Sequence, residues 1–375
     1  MRRFSMKKIA LIYLGRRGGA VPYSFEMTKA LLQKGVEVFC ILSEHIQNRH
    51  DWEKLSGENR MLSVSFLPTY TDKIGFIKSF FVDKPYKDAV MRVREFAPYA
   101  LYLPMISLNA RKLVRRLSDI PLITTIHDFT QHLGDRNFFT RKISEYISKR
   151  TDKFVVLTGS YAPLVAKKYG KPMEAVAHIP HANFSYYNLD GAAPQFDNIH
   201  NALLFFGRIS KYKGVSVLLR SMRILHKRRP ELKLVIAGSG NLTAEDMSII
   251  NSMPDNISLM NGWLPDTMVW ELFAGADMTI VPYIDASQSG VVAISFSSGR
   301  TVVATDVGGL REQVEPGGGI VIPPNDPERL ADVVDGLYAD TSVIVEHNKR
   351  AYEYAVSELT WERSASLLLD LIYNR

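Results

Sequence analysis

Metal clusters, redox pairs and long apolar runs are what this chain of 375 residues lacks. It has one cysteine, Cys40, so no internal disulfide framework is open to it; a lone thiol of this kind reads as a small packed side chain in a reducing compartment. No D-x-D, H-x-x-x-H or C-x-x-C occurs, which predicts no metal site. A G-x-x-x-x-G-K-[ST] P-loop and a G-x-S-x-G elbow are also missing, which argues against an ATPase and a serine hydrolase. Neither half carries the G-x-G-x-x-G dinucleotide fingerprint, which counts against a dehydrogenase. The run Ile9 to Leu14 stops at Gly15 and Arg16, too short for a signal-peptide core. The stretch Ala97 to Ala110 carries Pro98 and Pro104 and falls short of the roughly 20 residues a membrane span needs. These absences predict a cytoplasmic protein, with peripheral contact at the inner face of the plasma membrane still open.

What is present belongs to an ordinary globular protein, since 46% hydrophobic and 23% charged residues suit neither a disordered nor a fibrous chain. The length predicts two or three domains. The net charge of +7 is unevenly shared. Through Asp190 there are 30 Lys and Arg against 17 Asp and Glu, or +13, and the remainder has 16 against 22, or −6. That split points to an anionic or membrane-associated partner for the first half. No nucleic-acid partner is expected.

Lys7 to Leu14 reads as a buried strand, followed by a turn at Gly15, Gly18 and Gly19 and a helix starting near Pro22 and Ser24 and ending at Gly35. With the strand-like Val36 to Leu42 this makes a βαβ unit, and the pattern repeats at Leu62–Leu67, Leu101–Leu103, Leu122–Ile126 and Phe154–Leu157. The segment Asn188 to His200 is poor in large apolar residues and reads as a linker. A second series follows at Ala202–Phe206, Leu232–Ala237, Ile257–Met260, Met278–Val281, Thr301–Thr305 and Gly319–Ile322, alternating with helical stretches such as Val215–Lys227 and Pro327–Tyr338. The fold class is α/β, with two Rossmann-like doubly wound domains. The predicted boundaries are 1–190, 191–357 and a last helical segment 358–375, with its helix at about Trp361 to Tyr373.

Ligands of open parallel sheets bind outside the carboxyl ends of the strands, so the cleft between two such domains is the expected site. After the first strand, Gly15-Arg16-Arg17-Gly18-Gly19-Ala20 opens a helix. Its amides suit an anion, and Arg16 and Arg17 either hold phosphate or are solvated. After Ala202–Phe206 comes Gly207-Arg208-Ile209-Ser210-Lys211-Tyr212-Lys213-Gly214, where Arg208 as a forked donor and Lys213 as a point charge can converge on one diphosphate, or are ordinary basic residues of a surface loop. Ser289 and Gly290, near the start of a later helix, would present backbone amides to the same group, with the serine hydroxyl as an extra donor. In the first half, His127 and Asp128 close a strand. The imidazole can bond a substrate hydroxyl or move a proton, and Asp128 either fixes its tautomer or caps the next helix.

Taken together, Phe205 to Gly214, Val235 to Gly240, Ser289-Gly290-Val291 and Val302 to Glu312 resemble the family 4 (group 1) glycosyltransferases of the GT-B fold. The resemblance covers nearly the whole chain and is strongest from Leu203 to Val334. In the first half it rests on the glycine turn, His127-Asp128 and Ile179-Pro180-His181. It implies transfer of a sugar, with retention, from a nucleotide-diphosphate sugar to a glycan or lipid-linked acceptor, without metal or further cofactor, in bacterial surface polysaccharide synthesis. Arg208, Lys213 and His127 would be the catalytic residues, His127 contacting the donor sugar. Gly18, Gly19, Gly207, Asp285, Ser289, Gly290 and Val291 would surround the donor, and Gly262-Trp263-Leu264 would hold its base. The resemblance puts the acceptor on the first domain and the donor on the second, with the last helix returning to the first. One departure stands out: where members carry two glutamates eight positions apart, this chain has Ala286 and Ile294, or Ser287 and Ser295 if the register slips by one. That departure keeps a rival open, a non-catalytic partner that binds nucleotide or glycan. For the charged first half, Lys73 to Phe81 and Arg111 to Arg116 combine basic and apolar residues and read either as membrane-docking groups or as ordinary amphipathic packing.

Overall fold

In the computed structural model, which describes residues 7–70, 75, 82–129, 138–188 and 191–373, the apolar runs become two all-parallel sheets. The first holds β1 (Lys8–Tyr13), β2 (Glu37–Ser43), β3 (Leu62–Leu67), β4 (Ala100–Leu103), β5 (Leu122–Ile126), β6 (Lys153–Val156) and β7 (Val176–His178), in the order β3-β2-β1-β4-β5-β6-β7. The second holds β8 (Ala202–Phe206), β9 (Lys233–Gly238), β10 (Ile257–Asn261), β11 (Met278–Val281), β12 (Thr301–Thr305) and β13 (Ile320–Ile322), in the order β10-β9-β8-β11-β12-β13. The central strands are buried along their length, as in Ile9 to Tyr13 and Leu203 to Phe205, because a parallel sheet is covered on both faces. The chain is thus a pair of doubly wound Rossmann-like sheets. Each reverses its winding beside its first strand, between β1 and β4 and between β8 and β11, and such a switch point is where an α/β sheet opens a crevice for ligand.

Chain segments up to Phe129, from the helix Phe138–Arg150 to Pro180, and from Trp361 on form one compact unit; His181–Thr360 forms the other. The division expected at residue 190 falls instead after Pro180. Phe184 is in the second unit's core and donates its amide to Ser297 Oγ at 2.8 Å. Asn183 donates its amide to the Leu359 carbonyl at 2.7 Å and its Nδ2 to that of Ala355 at 3.2 Å, so this stretch is packed into the second unit, while the described residues of Asn188 to His200, the expected linker, are irregular and mostly exposed within that unit. The helix Trp361–Tyr373 packs within the first unit, where Trp361 meets Tyr23 edge to face at 5.1 Å and Lys153 Nζ donates to the Leu371 carbonyl at 2.6 Å.

The first helix, Ala20–Gln33, starts earlier than Pro22 and Ser24 suggest. Ser24 lies inside it and turns its hydroxyl onto the Ala20 carbonyl at 2.7 Å, an internal use of serine that sequence spacing does not separate from capping. Two elements carried no readable pattern: β7, an edge strand of three residues, and the helix Thr341–Ser357. Cys40 is fully buried in β2 with Thr28 Oγ1 at 3.7 Å, and burial pushes its thiol up to about 12, which makes it inert.

Of the two groups read as docking candidates, Lys73 to Phe81 lies outside the described residues apart from Gly75. In Arg111 to Arg116 amphipathic packing prevails: Leu113 and Val114 are in the core, Arg116 pairs with Asp83, and Lys112 Nζ donates to the Val82 carbonyl at 2.5 Å. No apolar side chain of that group is left to enter a bilayer. Among the described residues no helix is long and apolar enough to cross a membrane.

Candidate functional site

In the first unit, the turn after β1 leads straight into the helix Ala20–Gln33. Gly18 has φ +89°, a left-handed backbone that favours glycine, and its carbonyl accepts the Val21 amide at 3.0 Å. A Cβ at Gly18 or Gly19 would meet nothing within 4 Å, and both residues are exposed, so a ligand can approach this helix start closely. Arg16 stacks over the Tyr70 ring at 5.4 Å. His127, at the end of β5, donates Nε2–H to the Pro104 carbonyl at 2.7 Å and meets the ring of Tyr23 edge to face at 5.2 Å. The tautomer is therefore set by Pro104, and Asp128 acts on the ring through its charge. Burial holds His127 below its ordinary 6.5, so at neutral pH the ring is uncharged and Nδ1 is an acceptor. Tyr23 in turn accepts backbone order from the turn: its amide donates to the Gly19 carbonyl at 3.2 Å, which ties His127, Gly18 and Gly19 into one local arrangement.

The second unit is built more tightly. Gly207, with φ +113°, leaves β8 while its amide donates to the Ala237 carbonyl at 2.9 Å, and Ile209 donates to Ser239 at 2.8 Å. The loop lies so close to the end of β9 that a Cβ on Gly238 would stand 1.8 Å from the Gly207 carbonyl oxygen. It ends at Gly214, φ +67°, where a Cβ would stand 1.8 Å from the carbonyl oxygen of Pro282 in the next loop. Ile284 donates its amide to the Tyr212 carbonyl at 2.7 Å, so the loops after β8 and β11, which flank the switch point, are joined.

On this frame Arg208 donates from Nη2 to the Tyr212 hydroxyl at 3.1 Å, and Lys213 Nζ lies 3.7 Å from the centroid of the Tyr283 ring. The Tyr283 hydroxyl meets Ser289 Oγ at 3.1 Å, just before the helix Gly290–Ser297, and Val291 Cγ2 is 3.8 Å from where a Cβ of Gly207 would be. Gly207, Arg208, Lys213, Ser289, Gly290 and Val291 are thus brought together, with Asp285 on the joining loop. The reading of Ser289 as an amide donor to phosphate needs correction. Its amide donates to Gln313 Oε1 at 2.9 Å and so is used within the protein, while its hydroxyl, 3.1 Å from that of Tyr283, can accept there and still donate; among the described residues the amides of Gly290 and Val291 have no protein acceptor. The Gly262-Trp263-Leu264 turn follows β10. Gly262 donates to the Gly238 carbonyl at 3.0 Å, Leu264 packs on the core, and Trp263 is 53% exposed beside it.

Tyr212, Tyr283 and Gln313 are the site residues that sequence reasoning missed. Tyr212 and Tyr283 sit inside the two loops it selected, but an aromatic there carries no signal of its own, and Gln313 lies beyond the next strand. Of the two registers for the expected glutamates, Ala286 and Ile294 are 2% and 6% exposed and belong to the core, and Ser287 and Ser295 are 2% and 0% exposed, so neither register places a carboxylate there.

Residues 200–340 match the model of the family described as glycosyl transferases group 1. A D-inositol 3-phosphate glycosyltransferase of Paenarthrobacter aurescens (strain TC1) is 31% identical over 189 residues, covering 49% of this chain and 45% of the relative. The enzyme of that name from Arthrobacter sp. (strain FB24) is 26% identical over 292 residues, 68% of this chain and 65% of the relative. The chain therefore spans less than half of the first and under two thirds of the second. Among solved structures, Anabaena HepE in complex with UDP and glucose superposes with a TM-score of 0.72 at 15% identity, covering 98% of this chain and 100% of that one. A glycosyltransferase from Rickettsia africae ESF-5 does so with a TM-score of 0.70 at 14% identity, covering 99% and 100%. At these identities the likeness is one of fold.

Proposed function

For a chain that belongs to the group 1 glycosyltransferases through residues 200–340 and has the GT-B fold, we propose transfer of a sugar from a nucleotide-diphosphate sugar to a glycan or lipid-linked acceptor. The observation that carries this reading is the meeting of Arg208, Lys213 and the start of the helix Gly290–Ser297 at the switch point of the second sheet. When the bond between the anomeric carbon and the diphosphate oxygen breaks, negative charge grows on the diphosphate. A forked guanidinium, an ammonium and two backbone amides, fixed beforehand, stabilise that charge without reorganising. The two cations do the neutralising that a divalent metal does elsewhere, so the transfer is metal-independent and persists in chelator. His127, uncharged with Nδ1 as acceptor, receives a hydroxyl of the donor sugar. Retention of anomeric configuration and a role in surface polysaccharide synthesis are part of the same proposal.

The relatives named for D-inositol 3-phosphate suggest a second acceptor class, a phosphorylated polyol, which also suits a basic first half. A lipid-linked or anionic acceptor, or an anionic membrane, would meet that half through charge, since the apolar residues of Arg111 to Arg116 are in the core. Such binding to anionic vesicles weakens steeply with salt. The test of the donor site is calorimetric titration of UDP, GDP and ADP against the wild type, Arg208→Ala and Lys213→Ala; equal affinities in all three proteins would remove the cradle. One observation favours a non-catalytic nucleotide- or glycan-binding partner instead: Ala286 and Ile294, or Ser287 and Ser295, are buried where glutamates would grip the donor. Slow hydrolysis of any nucleotide sugar from a panel decides for the enzyme, and no release from any of them decides for the partner.

A further inference from the structure

Three loops of the second sheet, those after β8, β11 and β12, converge on Ser289 and Tyr283, and two side chains hold them there. The first is Tyr283, 1% exposed, whose ring face lies under the Lys213 ammonium at 3.7 Å while its hydroxyl meets Ser289 Oγ at 3.1 Å. Its carbonyl accepts from Thr305 Oγ1, at the end of β12. The second is Gln313, in the turn of helix Leu310–Val314, which takes the Ser289 amide on Oε1 at 2.9 Å and gives Nε2–H to the Ser289 carbonyl at 3.0 Å. One primary amide therefore closes both backbone groups of the residue that precedes the helix Gly290–Ser297.

Each contact has a consequence for an anion. A ring face holds an ammonium in place without itself neutralising it. A two-point amide clamp removes the rotation of the Ser289 peptide, and so aims the amides of Gly290 and Val291 at one spot. We propose that Tyr283 and Gln313 are positioning residues of the anion site: Tyr283 carries Lys213, Gln313 sets the direction of the helix start, and neither touches the diphosphate. They do this in a chain that has no glutamate from Asp285 to Ser298. This inference rests on the cradle proposed above.

The test is titration of UDP and of inorganic pyrophosphate into the full chain as wild type, Arg208→Ala, Tyr283→Phe, Tyr283→Leu and Gln313→Met, with thermal unfolding of each. Tyr283→Phe keeps the ring and stays within about twofold of the wild type, while Tyr283→Leu loses about tenfold in affinity for both probes. Gln313→Met keeps the volume, loses both hydrogen bonds and is weakened by about tenfold. In donor turnover the Leu and Met variants lose kcat more than they change KM, because the braced groups act on charge that grows in the transition state. A purely structural role would lower Tm and leave affinity unchanged, and that result overturns the inference. If Tyr283→Leu does not fold, Gln313→Met alone decides. Loss of affinity in Arg208→Ala with none in Gln313→Met overturns the bracing and leaves the cradle standing; failure of the wild type to bind either probe removes both.

Discussion

The turns after β1 and β8 occupy the same place in two sheets of the same winding, yet they are built in opposite ways. After β1, Gly18 and Gly19 are exposed, a Cβ there would meet nothing, and the helix begins at once. After β8, Gly214 and Gly238 each leave no room for a Cβ, 1.8 Å from a neighbouring carbonyl oxygen, and the two cations lie on tyrosines. The first turn leaves space for a ligand to come close; the second is a rigid frame with charges fixed in advance. The contrast teaches that a Rossmann-like switch point can be used as an opening or as a clamp, and that the choice lies in what packs behind the glycines.

The largest effect that would break this contrast is removal of a fixed charge. Lys213→Ala or Arg208→Ala lowers kcat for donor turnover by about 100- to 1,000-fold, measured at saturating nucleotide sugar, whereas Arg16→Ala in the open turn changes it by less than about tenfold. Crowding comes next. Gly214→Ala or Gly238→Ala destabilises the second unit by about 3 kcal/mol or more, read by denaturant unfolding, because a carbonyl must move and the backbone is left-handed. Gly18→Ala, strained by its φ of +89° but uncrowded, costs about 1 kcal/mol, and Gly19→Ala stays within about 0.5 kcal/mol. A different stability in the order of these four would overturn the reading of one turn as open and the other as locked.

The pH profile sharpens the same comparison from the first unit. His127 is held below 6.5 in the folded protein and returns to its ordinary value when unfolded, so the unfolded chain binds the extra proton first. Its contribution to stability is full above pH 6.5 and is lost as pH falls through the lowered value. Donor turnover follows the same limb, level at neutral pH and falling in acid, and His127→Gln loses that step.

Much of this was legible locally. The alternation of strand and helix, the two sheets and the Arg208–Lys213 loop each show within a window of ten to fifteen residues, where periodicity and glycine placement are decisive. The boundary at Pro180 was not, because Phe184 joins the second core through Ser297, far along the chain. Nor was the engagement of Ser289: a serine before a helix reads as a cap and donor, and only its meeting with Gln313 shows that its amide is already used. The sequence left docking and packing open for Arg111 to Arg116, since basic and apolar residues at helical spacing look the same whether the apolar side faces a bilayer or a core; only the tertiary structure shows Leu113 and Val114 in the core.

By itself, the sequence determined most of the strands and several of the helices, that two parallel sheets follow one another, that two cations come after β8, and that no glutamate stands from Asp285 to Ser298. The tertiary structure decided what carries those cations, which amides of the helix start are open, and where one unit gives way to the next. The physical reason is separation along the chain. Backbone conformation and burial pattern are set by near neighbours, whereas Lys213 and Tyr283, or Ser289 and Gln313, meet only because the order β8-β11-β12 lays their loops side by side.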